Sequence, residues 1–138
     1  MAAIKYIQGS GATSLTLSSV NSLANGSSSG LMTYDNSANL DLYASVAVSL
    51  GSITPTAGGN IVLRAYSTQG ATVPDDTGSV GGGDTYTLPL TTTASAKVII
   101  FPMVRLYPES MRFQISNNAG VALAASGNSI SVKPYNEG

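Results

Sequence analysis

Between residues 40 and 50 every even position is apolar (Leu40, Leu42, Ala44, Val46, Val48, Leu50), while Asp41, Tyr43, Ser45, Ala47 and Ser49 fill the odd ones. Only a strand repeats every two residues, because successive side chains leave opposite faces of a pleated backbone. The next stretch, 51–59, holds Pro55, which pre-sets one φ, and Gly58 and Gly59, which tolerate positive φ. Alternation then resumes over 60–67, with Ile61, Leu63 and Ala65 on one face and Val62, Arg64 and Tyr66 on the other. These pieces predict a β-hairpin with strands at 40–50 and 60–67, around which the chain is organised. Neither face of its second strand is wholly polar, so one should meet the core and the other a neighbour, a loop or another chain.

The remaining segments read the same way. Residues 3–8, 14–18 and 31–34 are short strand candidates, and 18–30 is a Ser-rich loop with one potential helical turn stopped by Gly26. Residues 68–84 hold Gly70, Gly78, Gly81, Gly82 and Gly83 with Pro74, Asp75 and Asp76 between them, which makes a long loop, and loops of that length are commonly functional. Strands follow at 85–90, 97–105 and 111–116, and a closing hairpin is expected from 121–125 and 129–133 across Ser126, Gly127 and Asn128. The run 98–104 is almost continuously apolar, which predicts a strand buried on both faces, and Pro102 predicts a bend or a sheet edge within it. About eight such strands with no convincing helix indicate one all-β domain over 1–138, a jelly-roll-like antiparallel β-sandwich with a short N-terminal arm (1–13) and the 68–84 loop.

Composition excludes most chemistry. The 138 residues include no Cys, no His and no Trp, so disulfides, thiol nucleophiles and histidine-based acid–base pairs are unavailable. Asp75 and Asp76 are the only adjacent carboxylates, and with Asp84 they lack the ligand ladder of a calcium loop. Gly81 to Gly83 are not followed by the Lys-Ser or Lys-Thr of a phosphate cradle. The sequence therefore predicts no enzyme, no cofactor and no metal. Six basic and seven acidic residues, a net charge of -1 without a basic run, argue against nucleic acid. The longest apolar stretch, seven residues, is too short to span a membrane, and no secretion signal is expected at the N-terminus. Only 9% of residues are charged, and Ser, Thr, Asn and Tyr supply the polar surface instead. Such a surface enters an interface without stranding buried ions, which suits an assembly subunit.

The order of several pieces resembles a known class. It comprises Ser22-Leu23-Ala24; Tyr34-Asp35-Asn36-Ser37; the strand with Leu40, Leu42 and Val46; the turn Thr54-Pro55-Thr56-Ala57-Gly58-Gly59; the strand with Leu63 and Tyr66; and the Gly/Asp loop. The segments 112–120 (Arg112 to Gly120) and 122–128 (Ala122 to Asn128) complete the likeness over most of 20–135. This arrangement resembles the capsid decoration, or cement, proteins of tailed bacteriophages, although Ala119 departs from the small polar residue of that pattern. The resemblance implies a non-enzymatic virion protein on the outer capsid surface that binds the major capsid protein as a homodimer or homotrimer. A receptor- or glycan-binding module of a tail fibre or adhesin is the alternative. On the cement reading, contacts are expected from the arm (Ala2, Ile4, Tyr6) and from the long loop (Val73, Asp75, Asp76, Val80). A self-association face is expected from Ile99, Phe101 and Met103.

Overall fold

The computed structural model describes residues 5–69, 72 and 83–138. Among them are nine strands: β1 (Tyr6–Gln8), β2 (Thr13–Ser14), β3 (Met32–Asp35), β4 (Tyr43–Ile53), β5 (Asn60–Tyr66), β6 (Asp84–Pro89), β7 (Ser95–Arg105), β8 (Ser110–Asn118) and β9 (Ser129–Glu137). The first sheet has the order β1-β9-β4-β7, with β2 beside β1 on the same edge of β9. The second has the order β3-β8-β5-β6, and every pairing is antiparallel. Because β1 and β2 lie end to end along β9, they fill one strand position. Two four-position sheets result, and the chain changes sheet at every connection except β1–β2 and β5–β6. This is the all-β jelly-roll sandwich expected from the strand count.

The two inner faces close over one apolar cluster. Ala44, Val46, Val48 and Leu50 of β4 alternate into it, joined from the same sheet by Ile99, Phe101 and Val104 of β7 and Ile130 and Val132 of β9. From the opposite sheet come Ile61, Leu63 and Ala65 of β5 and Met111, Phe113 and Ile115 of β8. With no disulfide available, burial of these side chains, each worth roughly 1.5–3 kcal/mol for the larger ones, is the main source of stability.

The structure corrects three sequence expectations. The 40–67 unit is not a hairpin: β4 pairs β7 and β9, β5 pairs β6 and β8, and residues 54–59 carry the chain from one sheet to the other. Two inward-facing strands on opposite sheets have the same alternation as two paired strands. The closing hairpin is also absent, because 121–125 forms no strand; its Leu123 is buried and its N–H donates to the Leu23 carbonyl at 2.9 Å. Finally, β7 is not buried on both faces. It is the edge of the first sheet, as Pro102 suggested, and one of its faces is open.

Asparagines and one aspartate clip the ends of the sandwich. Asn117, fully buried, donates to the carbonyls of Leu23 and Val121 and accepts from the Ala119 N–H at 2.9 Å. At the other end Asn36 donates to the carbonyls of Asp41 (2.9 Å) and Tyr107 (2.8 Å) and accepts from the Asp41 N–H (3.0 Å). The Asp41 carboxylate in turn accepts from the Ser10 hydroxyl (2.8 Å), the Ser10 N–H (3.3 Å) and the Asn136 amide (2.8 Å). Burial opposes its ionisation, but these donors outweigh burial and hold the carboxyl below its usual value. Gly9 must be glycine here, since a Cβ would stand 2.6 Å from an Asp41 oxygen.

Candidate interaction surface

The outer face of the first sheet is set by strand parity. Tyr43, Ser45, Ala47 and Ser49 of β4 face outward, opposite Tyr135, Lys133, Ser131 and Ser129 of β9. On the other side Tyr43 is opposite Arg105, Ala47 opposite Ile100 and Ser49 opposite Val98 of β7. Between Val46 and Ala44 the partner on β7 jumps from Phe101 to Val104, three steps against two, so Pro102 and Met103 form a bulge. Both bulge residues are exposed, which keeps Phe101 and Val104 inside.

The result is an apolar edge on a sparsely charged face. Val98 is 67% exposed, Ile100 53% and Met103 48%, and the small residues of β4 and β9 lie beside them. The charged residues of this face are Lys133, Arg105 and Glu137, while Lys97 is buried and sends its ammonium to the hydroxyls of Thr91 and Ser95, both at 3.0 Å. At one end the tyrosines gather. Tyr43 stacks on Tyr135 (centroids 5.7 Å apart, planes at 26°), and Tyr6 stands edge-on to Tyr135 (5.3 Å, 89°). The Tyr135 hydroxyl donates to the Pro102 carbonyl at 3.2 Å, which fixes the ring. Burial, then the neighbouring Tyr6, Tyr43 and Glu137, raises the Tyr135 phenol above its ordinary value, so it stays neutral and a donor. Tyr6, Tyr135, Pro102 and Met103 enclose an open cleft of about 470 Å³, with two rings at right angles as walls.

Of the residues expected from sequence to make contacts, Tyr6 and Met103 come together in this cleft. Ile99 and Phe101 do not face outward: they are 6% and 2% exposed, inside the core, and the outward pair on the same strand is Val98 and Ile100. Parity alone could not separate the two sets, because all four residues are apolar and Lys97, in phase with the inner set, points inward. Ala2, Ile4, Val73, Asp75, Asp76 and Val80 lie outside the described residues. Val98 and Ile100 were not singled out by sequence reasoning. The alternation over 40–50 did mark Tyr43 as one of the odd set, but nothing local says which two strands are neighbours.

A second exposed apolar feature adjoins the first. Leu40 and Leu42, expected to point inward with β4, are 56% and 50% exposed, while Asp41 between them is buried. The phase inverts because residues 40–42 precede the strand: Leu40 closes one turn by donating to the Asn36 carbonyl at 2.9 Å and takes φ +52°. Among the described residues no group of three or more potential ligand side chains is placed to hold a metal ion, and no helix is long and apolar enough to cross a membrane. No family model matches the chain, and no curated protein or solved structure is significantly similar to it.

Proposed function

We propose that the chain is a non-enzymatic structural protein of a tailed-bacteriophage virion, a decoration or cement protein that docks on the outer surface of the capsid shell. The observation that carries this reading is the sparsely charged outer face of the first sheet, with Val98, Ile100 and Met103 exposed in a row on an edge strand. Contiguous exposed apolar surface on an otherwise well-packed domain marks an interaction site. Its partner on this reading is the major capsid protein, and interface burial where shell subunits meet would have to be broken before those subunits separate. The chain would act as a homodimer or homotrimer, without cofactor, membrane or nucleic acid.

A receptor- or glycan-binding role is the second reading, favoured by the perpendicular Tyr6 and Tyr135 rings beside Pro102 and Met103, a corner on which a sugar ring could stack. Co-sedimentation separates the two. The purified protein is mixed with shells of its source phage that lack it, and separately with host cells. Saturable binding to shells at a fixed ratio to the major shell protein supports the cement reading; retention on cells or glycans without shell binding replaces it with the second.

A further inference from the structure

Resting on the cement reading for its purpose, we infer that two copies of this chain join edge to edge through β7, antiparallel over residues 95–101, on a two-fold axis at Val98. The two sheets of the sandwich have four edges, and three of them deter strand addition. One is broken into the short pieces β1 and β2, β3 has only four residues, and β6 opens on Asp84 and closes on Pro89. The fourth, β7, is eleven residues long and, among the described residues, pairs with β4 alone. Its guards stand at one end, in the Pro102–Met103 bulge and at Arg105, whose N–H already donates to the Tyr86 hydroxyl at 3.1 Å. Lys97 to Phe101 run in unbroken register with β4. The one charge in 95–101 is no deterrent either. Lys97 is 6% exposed, and its ammonium is held by the hydroxyls of Thr91 and Ser95 and the Thr93 carbonyl, so an arriving strand strips little water from it.

The stretch fits its own reverse. Opposed residues of an antiparallel pair share a face, so the middle residue, Val98, meets the Val98 of the second copy, and Ala96 meets Ile100. These outward residues are exposed and apolar, and on the inward side Lys97 meets Ile99, so no like charges come opposite each other. The same patch serves both copies, as a closed two-fold dimer requires.

Area selects a second copy as the occupant. Three strands about 4.8 Å apart and eight residues long at ~3.3 Å per residue give the outer face of one copy roughly 400 Å², about half the ~800 Å² that a stable complex takes from each partner. The two-fold stands perpendicular to the paired sheet, so both outer faces lie on the same side. Together they form one continuous face of roughly 800 Å², with Val98 and Ile100 at its centre. A lone strand from another protein would add only about a third as much.

The test is sedimentation velocity of the purified protein at about 100 µM, without shells. Wild type is expected to be a dimer. Val98→Lys and Val98→Glu each set two like charges on the axis, so each alone is expected to be monomeric. An equimolar mixture of the two is expected to regain the dimer, because opposite charges then face each other. Where a charge variant does not fold, Val98→Cys decides. In a chain without cysteine it is expected to cross-link to a second copy on mild oxidation, whereas Ser131→Cys, on the outer face of β9, is not. A wild type that is monomeric or trimeric overturns the inference, as do a dimer that survives both charge variants, a mixture that stays monomeric and a Val98→Cys protein that does not cross-link. The cement reading fails separately. A dimer that does not sediment with shells removes that reading and leaves the dimer, and a monomer that does sediment with them removes the dimer and leaves the reading.

Discussion

Replacing Asp41 by Ala should unlatch the N-terminal arm. The carboxylate is 4% exposed and accepts three hydrogen bonds, two from Ser10 and one from Asn136. Hydrogen bonds to a charged acceptor contribute about 1.5–3 kcal/mol each, and the Ser10 N–H contact at 3.3 Å is long, so the two shorter ones set the scale at about 3–6 kcal/mol in all. At an unfolding entropy of ~2.1 cal/mol/K per residue, that corresponds to a melting temperature about 10–20 °C lower for 138 residues. The loss should appear locally first, because β1 and β2 are exposed along their length and, among the described residues, pair with β9 alone. Urea unfolding and amide exchange therefore belong together: Asp41→Ala should lower stability and strip protection from the Gly9 and Leu15 amides, which bond the β9 segment, while β4 keeps its protection. A change below about 0.5 kcal/mol with unaltered exchange at those amides would refute the latch.

Acid should reproduce that effect. Because the folded-state pKa of Asp41 lies below the ordinary 3.8, its contribution is complete above that value and is lost as pH falls through the folded pKa, so wild type should lose its stability advantage over Asp41→Asn below about pH 4 in pH-dependent urea melts. At the alkaline end, burial and then hydrogen bonding to Asp84 push the Tyr107 phenol up to about 12, so its share of stability falls as pH rises from 10 toward 12. Ultraviolet titration should show Tyr107 among the tyrosines that ionise late, and Asp84→Asn should bring that one forward. The two sides of β7 should separate cleanly in thermal melts: Phe101→Ala should cost about 3–5 kcal/mol, and Ile100→Ala less than about 0.5. Equal effects would mean that the strand is turned the other way.

The fold class was legible because jelly-roll strands carry their inward alternation in the sequence, as Ala44, Val46, Val48 and Leu50 do. Pairing was not. β4 and β5 look like hairpin partners through the Pro55, Gly58 and Gly59 turn, yet that turn spans the gap between sheets, and a turn sequence fixes chain reversal without fixing which strands bond. The surface was half legible. Tyr6 and Met103 could be picked out, but Met103 is exposed only because the Pro102–Met103 bulge takes it out of phase with Ile99 and Phe101, and the outward pair Val98 and Ile100 is as apolar as the inward one. Leu40 and Leu42 were misplaced for a related reason: the alternation runs unbroken from 40 to 50 in sequence, while the strand begins only at Tyr43 and Asp41 takes the inward place through its hydrogen bonds.

The most direct test of the proposed docking face is the binding isotherm of a Val98→Asp, Ile100→Asp double variant on shells lacking the protein, compared with wild type. Both positions are exposed, so the variant should melt within about 1 kcal/mol of wild type. Two carboxylates buried unpaired in the interface should weaken binding at least a hundredfold. Full wild-type affinity in a folded double variant would contradict the account and place the contact elsewhere on the molecule.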